Sequence, residues 1–334
     1  MPNYRKVLIS AVLLALVAIA AFIIYRRAAG SPERITRLLP EGNQLAYVSL
    51  KPVRLFWDLS KSKPPELEGY YRQFVDETGI QFERDLDEAA ASWQETDGHR
   101  VEAATVFAGR FDAAKLERYL QKIAARTEAY HGLTIYLIPN QDHTVRACIL
   151  DDSRVAATTS GSPEVIHGII ERLHGSPDGP ELLRGYYRYV PTASLAWTIA
   201  HIGQDSGASA QPFGANLSFL ENTTAVASLR YNGSLLLRAD VFAAGEAEAR
   251  QVMDSANAFL AIYGLLDRSS GMRNDADLKA ALNSIHLEQK GNVVTATATC
   301  SGRLLQKFQS QIKSEVVAPP APALDAPPPP SRKR

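Results

Sequence analysis

The sequence predicts an α+β protein in which two related lobes follow a single transmembrane helix, each lobe an antiparallel sheet with helices packed on one face. Three observations support this fold class. An uncharged apolar run occupies residues 7–25, helix and strand patterns alternate from residue 31 to residue 315, and their order in the first half recurs in the second. Residues 1–6 form a short flank, and residues 316–334 form a Pro-rich tail that lacks the apolar residues needed for a packed fold.

The apolar run from Val7 to Tyr25 predicts the transmembrane helix. It contains no charged residue, and Arg5-Lys6 and Arg26-Arg27 flank it. About 20 apolar residues span the hydrocarbon core of a bilayer, and backbone groups in lipid must bond to one another within a helix. The alternative is a signal peptide cleaved after Ala20. The run is longer than the roughly 7–15 residues of a signal-peptide core, and such cleavage would leave an apolar new terminus.

The charges that flank this run and its position in the chain favour different topologies. Two basic residues and the α-amine precede it, whereas four arginines follow it within residues 26–37, which favours a cytoplasmic folded part. Long domains cross the membrane with little regard to charge, however, and the run begins close to the first residue, as in signal anchors. We therefore expect a single-pass inner-membrane protein whose folded part lies in the periplasm.

Composition excludes two classes of protein. Lysine and arginine total 36, aspartate and glutamate also total 36, and the formal net charge is zero. The chain therefore lacks the basic surface that nucleic-acid binding requires. With only Cys148 and Cys300 it is not a disulfide-rich scaffold and has no four-cysteine zinc site.

The two cysteines leave two interpretations open. In an oxidising compartment, Cys148 and Cys300 would close a loop of about 150 residues and stabilise the fold by roughly 3–5 kcal/mol. Otherwise they are independent buried thiols that act as small apolar residues.

The first lobe is predicted over residues 31–175. Its clearest element is a helix over 112–126, in which Asp112 is the N-cap and Phe111 and Leu116 have the spacing of a hydrophobic staple. Acidic residues at positions 83, 85 and 87 are typical of a helical first turn, so residues 82–93 are also predicted to be helical. The remaining elements are strands near 44–50, 101–108, 133–138, 144–150 and 154–159 and helices near 31–39, 52–59, 66–78 and 163–174.

The second lobe is predicted over residues 176–315. Asn232-Gly233 is typical of a two-residue hairpin loop, which would set Tyr231 opposite Ser234 and Leu229 opposite Leu236. The other elements are a long helix over 246–266, shorter helices near 180–189, 275–282 and 302–313, and strands near 194–202, 223–231, 234–243, 286–289 and 293–300.

An internal duplication is the basis for expecting two related lobes. Residues 65–75 and 180–190 share a Pro-Glu-Leu start and a Tyr-Tyr-Arg sequence, and one insertion aligns them. A strand, a helix, a hairpin and a second helix also follow one another in both halves. Chance similarity is the alternative, because repeats are usually recognised from several matched periods.

No sequence pattern predicts a catalytic residue, a cofactor or a metal site. Ser60-x-x-Lys63 and Ser310-x-x-Lys313 match a nucleophile pattern of penicillin-binding enzymes, but the accompanying Ser-x-Asn and Lys-Thr-Gly elements are missing. The chain also lacks a Walker A loop, a G-x-S-x-G turn and a dinucleotide-binding fingerprint.

Scattered titratable residues have ordinary explanations. His167 and His174 are seven residues apart on one predicted helix, a wider spacing than two ligands of one metal need. Asp85, Asp87 and Glu88 are candidate acids for a hydrolase, and the ordinary interpretation is a charged helix start.

The tyrosine pairs are the one candidate recognition feature. Tyr70-Tyr71 and Tyr186-Tyr187 lie on predicted helices, where adjacent side chains point in different directions, so one of each pair should be buried and the other exposed. Exposed tyrosines are common in binding surfaces. Packing between helix and sheet is the alternative role.

Several short motifs resemble an uncharacterised family of membrane-anchored bacterial proteins. They are Leu38-Leu39-Pro40-Glu41-Gly42, Thr78-Gly79-Ile80-x-Phe82-Glu83-Arg84-Asp85-Leu86-Asp87, Gly109-Arg110-Phe111-Asp112 and Tyr130-His131-Gly132. The resemblance covers the first half of the folded part. It implies a single-pass membrane anchor and carries no catalytic residue with it.

The sequence therefore favours a non-enzymatic protein, tethered to the lipid bilayer through residues 7–25, that binds or scaffolds a partner. One alternative is an envelope hydrolase with an unrecognised site. Another is a lipid- or lipoprotein-handling domain, which would require an apolar cavity between sheet and helices. An open aromatic face would favour a binding protein, and a pocket with several convergent polar groups would favour an enzyme.

Overall fold

The computed structural model describes residues 34–56, 69–96, 100–140, 143–175, 178–203, 218–266 and 276–301. Several predicted features lie outside these residues: the flank 1–6, the apolar run 7–25, both Ser-x-x-Lys matches, the helix 302–313 and the tail 316–334. Among the helices that the structure does describe, none is both long enough and apolar enough to cross a bilayer.

The described residues contain eight α-helices, twelve strands and three short 3₁₀ turns. The helices are α1 (Leu50–Phe56), α2 (Gly69–Thr78), α3 (Phe82–Asp85), α4 (Ala113–Ile123), α5 (Glu164–His174), α6 (Glu181–Tyr186), α7 (Glu246–Leu266) and α8 (Ala276–Asn283). The strands are β1 (Gln44–Ser49), β2 (Leu86–Thr96), β3 (Arg100–Gly109), β4 (Arg126–Tyr130), β5 (Leu133–Asn140), β6 (His143–Asp151), β7 (Arg154–Thr158), β8 (Ala196–Ile202), β9 (Thr223–Tyr231), β10 (Leu235–Phe242), β11 (His286–Lys290) and β12 (Val293–Cys300). The 3₁₀ turns are Thr36–Leu38, Tyr187–Tyr189 and Ser218–Leu220.

All twelve described strands belong to one antiparallel sheet, which confirms the predicted α+β class. The strand order is β11-β12-β10-β9-β8-β1-β2-β3-β7-β6-β5-β4. The predicted boundary between the lobes, at residue 175, does not divide the sheet. Strand β1 pairs with β2 of the first predicted lobe on one side and with β8 of the second on the other. Strands from the two predicted lobes therefore meet at the middle of a single sheet.

One face of the sheet, which we call the core face, carries the largest hydrophobic core. Leu45, Ile199 and Val226 are in register along it and are almost completely buried. Helix α5 packs against this face with Ile166, Ile169 and Ile170, while α6 contributes Leu183. These helices cover the alternate residues that point to one side of β1, β6, β7 and β8.

The opposite face, which we call the groove face, is covered at both ends but not in the middle. At one end Leu116 and Leu120 of α4 pack on Tyr136 and Ala147. At the other end α7 packs on the sheet, with Val252 in the same cluster as Val294. The prediction that helices pack on one face is therefore wrong. Successive strand residues point to opposite sides, and β5, β6 and β7 carry apolar residues on both sides, so each side takes its own helix.

The predicted helix over 82–93 is also wrong beyond its first turn. Only Phe82–Asp85 is helical, and the chain continues as strand β2 from Leu86 to Thr96. Ala89, Ala90 and Ala91 have a high intrinsic helix propensity, but ladders to β1 and β3 on both sides override it.

The hairpin between β9 and β10 has a different register from the predicted one. Tyr231 pairs with Leu235 rather than with Ser234, and Leu229 pairs with Leu237. The loop has three residues, Gly233 has a φ of +74°, and Asn232 N–H donates to Ser234 O at 2.9 Å. A shift of one residue reverses the face of every side chain in a strand, so this loop places Leu237 on the groove face.

Candidate functional site

The uncovered middle of the groove face forms a shallow apolar depression, which we call the central groove. It encloses about 490 Å³. Its lining comes from six strands, β1, β2, β3, β8, β9 and β10, on both sides of the β1–β8 junction. The residues used below are Ala46, Val48, Ala89, Ala91, Trp93, Thr105, Ala196, Thr198, Ala227, Leu229 and Leu237.

Small side chains give the central groove its depth. Five alanines point into it from β1, β2, β8 and β9, and they leave room that larger residues would fill. Trp93 and Leu237 supply larger apolar surfaces, and Leu237 is 42% exposed. Exposed apolar surface gathered in one concave patch is typical of a ligand or partner site.

The hydroxyl of Thr198, one of the few polar groups at the groove, is already bonded. Thr198 Oγ1 donates to Leu45 O at 2.8 Å and accepts from Gln44 Nε2 at 3.4 Å. Among the described residues, no charged side chain lines the groove. An occupant of this groove therefore has no ionic partner and little hydrogen bonding to gain.

Sequence reasoning missed the central groove. The sequence predicts a helix over the residues of β2 that contain Ala89-Ala90-Ala91, and the predicted hairpin register puts Leu237 on the other face. The available signal was a recurrence of alanine at alternate positions of neighbouring strands, as at Ala225 and Ala227.

A second depression lies on the core face, beside the last residues of β8 and β10 and the first residues of β9. We call it the aromatic pocket, and it encloses about 470 Å³. It is lined by Tyr186, Arg188, Tyr189, His201, Phe242 and Asn292, together with smaller neighbouring groups. Helix α6 and the turn Tyr187–Tyr189 form one wall, and the ends of β8 and β10 form the other.

The four candidate recognition tyrosines have different environments. Tyr186 lines the aromatic pocket, whereas Tyr187 packs edge-on against Trp197 in the core, with ring centroids 5.6 Å apart. Tyr71 accepts a hydrogen bond from Phe82 N–H at 3.0 Å and donates to Glu83 Oε2 at 2.8 Å. Tyr70 lies in α2, but its side chain is outside the described part. The three tyrosines whose side chains the structure describes therefore do not share one surface.

Burial raises the pKa of Tyr71 to about 12; the hydrogen bond from Phe82 N–H opposes this shift, and the hydrogen bond to Glu83 and its charge add to it. The Tyr71 ring also stacks on Phe82, with centroids 5.1 Å apart. These contacts join α2 to α3, which gives Tyr71 a structural role.

The three candidate hydrolase acids have separate partners. Asp85 accepts from Arg84 and from Gln81 N–H, while Asp87 forms an ion pair with Arg54. Burial raises the pKa of Glu88, and the nearby charge of Asp87 adds to this shift, whereas a hydrogen bond from Tyr47 opposes it. The surroundings of Glu88 therefore disfavour its charged form.

The two histidines of α5 also have separate environments. His167 Nε2 lies 2.7 Å from Glu128 Oε1, and its ring stacks on Tyr130 with centroids 3.8 Å apart. The His174 ring lies 6.5 Å from that of His131. Within the described ranges, no three His, Cys, Asp or Glu side chains are arranged to hold a metal ion.

Cys148 and Cys300 are free thiols on opposite faces of the sheet. Cys148 belongs to the hydrophobic cluster on the core face. Cys300 is an even number of residues from Val294 along β12, so it points to the groove face, where Val294 packs against α7. Burial raises the pKa of Cys148 to about 12 and also raises the pKa of Cys300. The interpretation in which they form an intramolecular disulfide is wrong for this fold, because the sheet separates them.

Comparison with known proteins gives structural neighbours at low sequence identity. No protein-family model matches the chain, and no curated protein matches it. The chain is similar to solved structures of TP0453, at 14% identity in each case. Crystal form III gives a TM-score of 0.48 and covers 85% of this chain and 99% of that one. Crystal form IV gives 0.46 and covers 83% and 96%.

Proposed function

We propose that this chain is a membrane-tethered binding protein that holds an acyl chain of a lipid in the central groove. The observation that carries the proposal is the uncovered middle of the groove face, where alanines, Trp93 and Leu237 form an apolar depression of about 490 Å³. This volume is within the range of about 300–1,000 Å³ that is usual for ligand sites.

The chemistry of the lining favours an acyl chain over a polar ligand. The groove offers no charged group among the described residues, and the Thr198 hydroxyl is bonded to the backbone. Each methylene group moved from water into such a site contributes about 0.8 kcal/mol. A long apolar chain can therefore bind through burial alone, whereas a polar ligand would lose hydration without replacement.

The proposed tether supplies the source of that ligand. The run Val7–Tyr25 would keep the folded part beside a bilayer, where acyl chains are the most abundant apolar groups. In this proposal the folded part lies on the extracytoplasmic side of the inner membrane. The hydrolase alternative has weaker support, because Asp85, Asp87 and Glu88 do not share a set of partners.

The proposal also treats the two halves as related units that meet at the groove. Strands β1, β2 and β3, helix α4 and the hairpin β6–β7 follow in the same order as β8, β9 and β10, helix α7 and the hairpin β11–β12. Between these elements the first half has α1–α3, β4 and β5 in addition, and the second half has α8. The Tyr-Tyr-Arg similarity does not follow this alignment, because Tyr70-Tyr71 comes after β1 and Tyr186-Tyr187 comes before β8. The order of elements, rather than that short match, supports the relationship.

Quenching of Trp93 fluorescence by brominated lipids tests the acyl-chain site. The full chain is reconstituted in phospholipid vesicles whose acyl chains carry bromine, and the Trp93 signal is obtained by subtracting the spectrum of Trp93→Phe. We expect strong quenching in the wild type, because Trp93 lines the groove. Ala91→Phe and Ala227→Phe, which fill the groove, should remove most of it.

Ala129→Phe is the matched control, since Ala129 is exposed on the edge strand β4 and outside the groove. It makes the same change in size and should leave the quenching as in the wild type. An unquenched Trp93 signal in the wild type, or quenching in both groove-filling variants as strong as in the wild type, would show that lipid does not enter the groove. The former result would favour a protein partner on this face.

A further inference from the structure

The aromatic pocket has a different character from the central groove and lies on the other face of the sheet. Three aromatic rings form its base. Phe242 lies 4.4 Å from Tyr189 and 5.2 Å from Tyr186, measured between ring centroids. The rings come from three separate elements, β10, α6 and the turn after α6, so their mutual packing fixes the base.

The rim of the pocket carries polar groups that the protein has already oriented. Asn292 Nδ2 donates to Ala243 O at 3.0 Å, which leaves its Oδ1 as an acceptor. His201 Nδ1 lies 3.2 Å from Thr224 Oγ1, which leaves Nε2 for a ligand. Carboxamide and imidazole groups held in this way lose little conformational entropy when they bind a hydroxyl group.

Arg188 supplies the pocket's only charge among the described lining residues. Its guanidinium carbon lies 4.8 Å from the centroid of the Tyr189 ring, and Nη2 donates to Tyr189 Oη at 2.9 Å. This contact uses one of five guanidinium N–H groups. The others are suited to a carboxylate or a phosphate, with which arginine forms paired hydrogen bonds.

We propose that the aromatic pocket binds a saccharide ring that carries an acidic substituent. The C–H face of a pyranose packs on aromatic rings, its hydroxyl groups bond to carboxamides and imidazoles at the rim, and the acid pairs with Arg188. An acyl chain would leave the groups of the rim without partners, at a cost in free energy. This site is independent of the central groove and does not rest on the function proposed for it.

Binding of two matched oligosaccharides to the full chain tests this proposal. The acidic probe is a tetrasaccharide of alternating glucuronic acid and N-acetylglucosamine, and the neutral probe is the tetrasaccharide of N-acetylglucosamine alone. The chain is kept in micelles of a detergent without a sugar headgroup, and binding is measured by calorimetry. We expect the acidic probe to bind about tenfold more tightly, as one charge-assisted contact implies.

Two substitutions separate the pocket from the rest of the surface. Gly185 lines the pocket, and a Cβ added there has no heavy atom within 4 Å, so Gly185→Leu fills space without displacing the protein. We expect it to weaken binding of both probes by at least about tenfold. Arg188→Gln should reduce the affinity for the acidic probe to that for the neutral probe.

Gly175→Leu is the control, because Gly175 is exposed, lies outside the pocket and has no heavy atom closer than 3.8 Å to an added Cβ. It should bind both probes as the wild type does. Failure of both probes to bind at about 5 mM would overturn the proposal. Unchanged binding in Gly185→Leu would do the same, since it would locate the sugar elsewhere.

Discussion

Asp85 is a carboxylate whose surroundings favour its charged form. Its Oδ2 accepts from Gln81 N–H at 2.9 Å and from Arg84 Nη2 at 2.8 Å. Burial acts to raise the pKa of Asp85, but these hydrogen bonds and the charges of Arg84 and Arg110 outweigh burial, and the pKa is below its usual value. The carboxylate thus stabilises the turn into β2.

Asp85→Asn should therefore destabilise the fold in a pH-dependent way. We expect a loss of about 1–2 kcal/mol near pH 7, because hydrogen bonds to a charged group are lost. A carboxylate whose pKa is lower in the folded state stabilises the fold at pH values above its pKa in the unfolded chain, about 3.9. This stabilisation is lost as the pH falls through the pKa of the folded state. The difference between wild type and variant, measured by urea unfolding from pH 7 to pH 3, should shrink below about pH 4.

Asp152→Asn provides the comparison, since Asp152 is an exposed carboxylate in the turn between β6 and β7. The free energy of unfolding of the Asp152→Asn variant should remain within about 0.5 kcal/mol of the wild-type value. Parallel pH curves for wild type and Asp85→Asn would contradict the role assigned to the Asp85 charge.

Elements with strong local signals could be predicted from the sequence. Asp112 caps α4 as expected, with Lys115 N–H donating to Asp112 Oδ1 at 3.1 Å, and Leu116 and Leu120 are buried. Strand β2 could not be recognised, because alanine carries no β preference and its strand conformation depends on pairing with β1 and β3. The central groove was missed for the same reason.

Side-chain direction depends on details that local patterns do not fix. The Asn232-Gly233 sequence predicted the hairpin, but the extra loop residue Ser234 reversed the face on which Leu237 lies. Among the tyrosines, Tyr71 joins two helices and Tyr187 packs on Trp197, although each is the second tyrosine of a Tyr-Tyr-Arg sequence. The length of the loop decided the first outcome, and contacts with residues outside the Tyr-Tyr-Arg sequence decided the second.

Gly109, at the end of β3, allows this strand to approach the start of β2. A Cβ at Gly109 would lie 2.3 Å from Asp85 O and 3.0 Å from Phe111 Cζ. The pairing of β2 with β3 is irregular at this point, between Leu86 and Glu88. Only a residue without a side chain fits this contact.

Gly109→Ala should therefore lower the free energy of unfolding by about 1–3 kcal/mol, the usual cost of overpacking. The expected measurement is a lower urea midpoint with an unchanged slope, which indicates a change in stability alone. Gly161→Ala is the matched substitution, because the heavy atom nearest to a Cβ added at Gly161 is 3.9 Å from it. Equal midpoints for the two variants would refute the tight contact at Gly109.

At the scale of the molecule, pairing of β1 with β8 turns two sets of strands into one sheet. A division between residues 175 and 176 would expose the edges of both strands, and unpaired edges associate with other strands. The same junction crosses the floor of the central groove, whereas the aromatic pocket lies on the opposite face. One sheet thus offers two chemically different surfaces.

The distance across this sheet determines the chemistry of the two cysteines. Eight steps in the strand order separate β6, which carries Cys148, from β12, which carries Cys300. At about 4.8 Å a step, the two lie roughly 38 Å apart, far beyond the limit of about 7 Å between the Cα atoms of a disulfide. Each molecule should therefore keep two thiols in an oxidising compartment unless a second chain intervenes.

Thiol titration of the purified full chain tests this expectation. In denaturant, a thiol reagent should count two thiols per chain with or without prior reduction. In the folded protein, Cys300 should react first, because Cys148 is fully buried and burial raises its pKa to about 12, which leaves little thiolate at neutral pH. Cys148→Ser should remove the slow phase and keep the fast one. A monomer that shows no free thiol before reduction would contradict the strand order, since only a different fold brings these residues together.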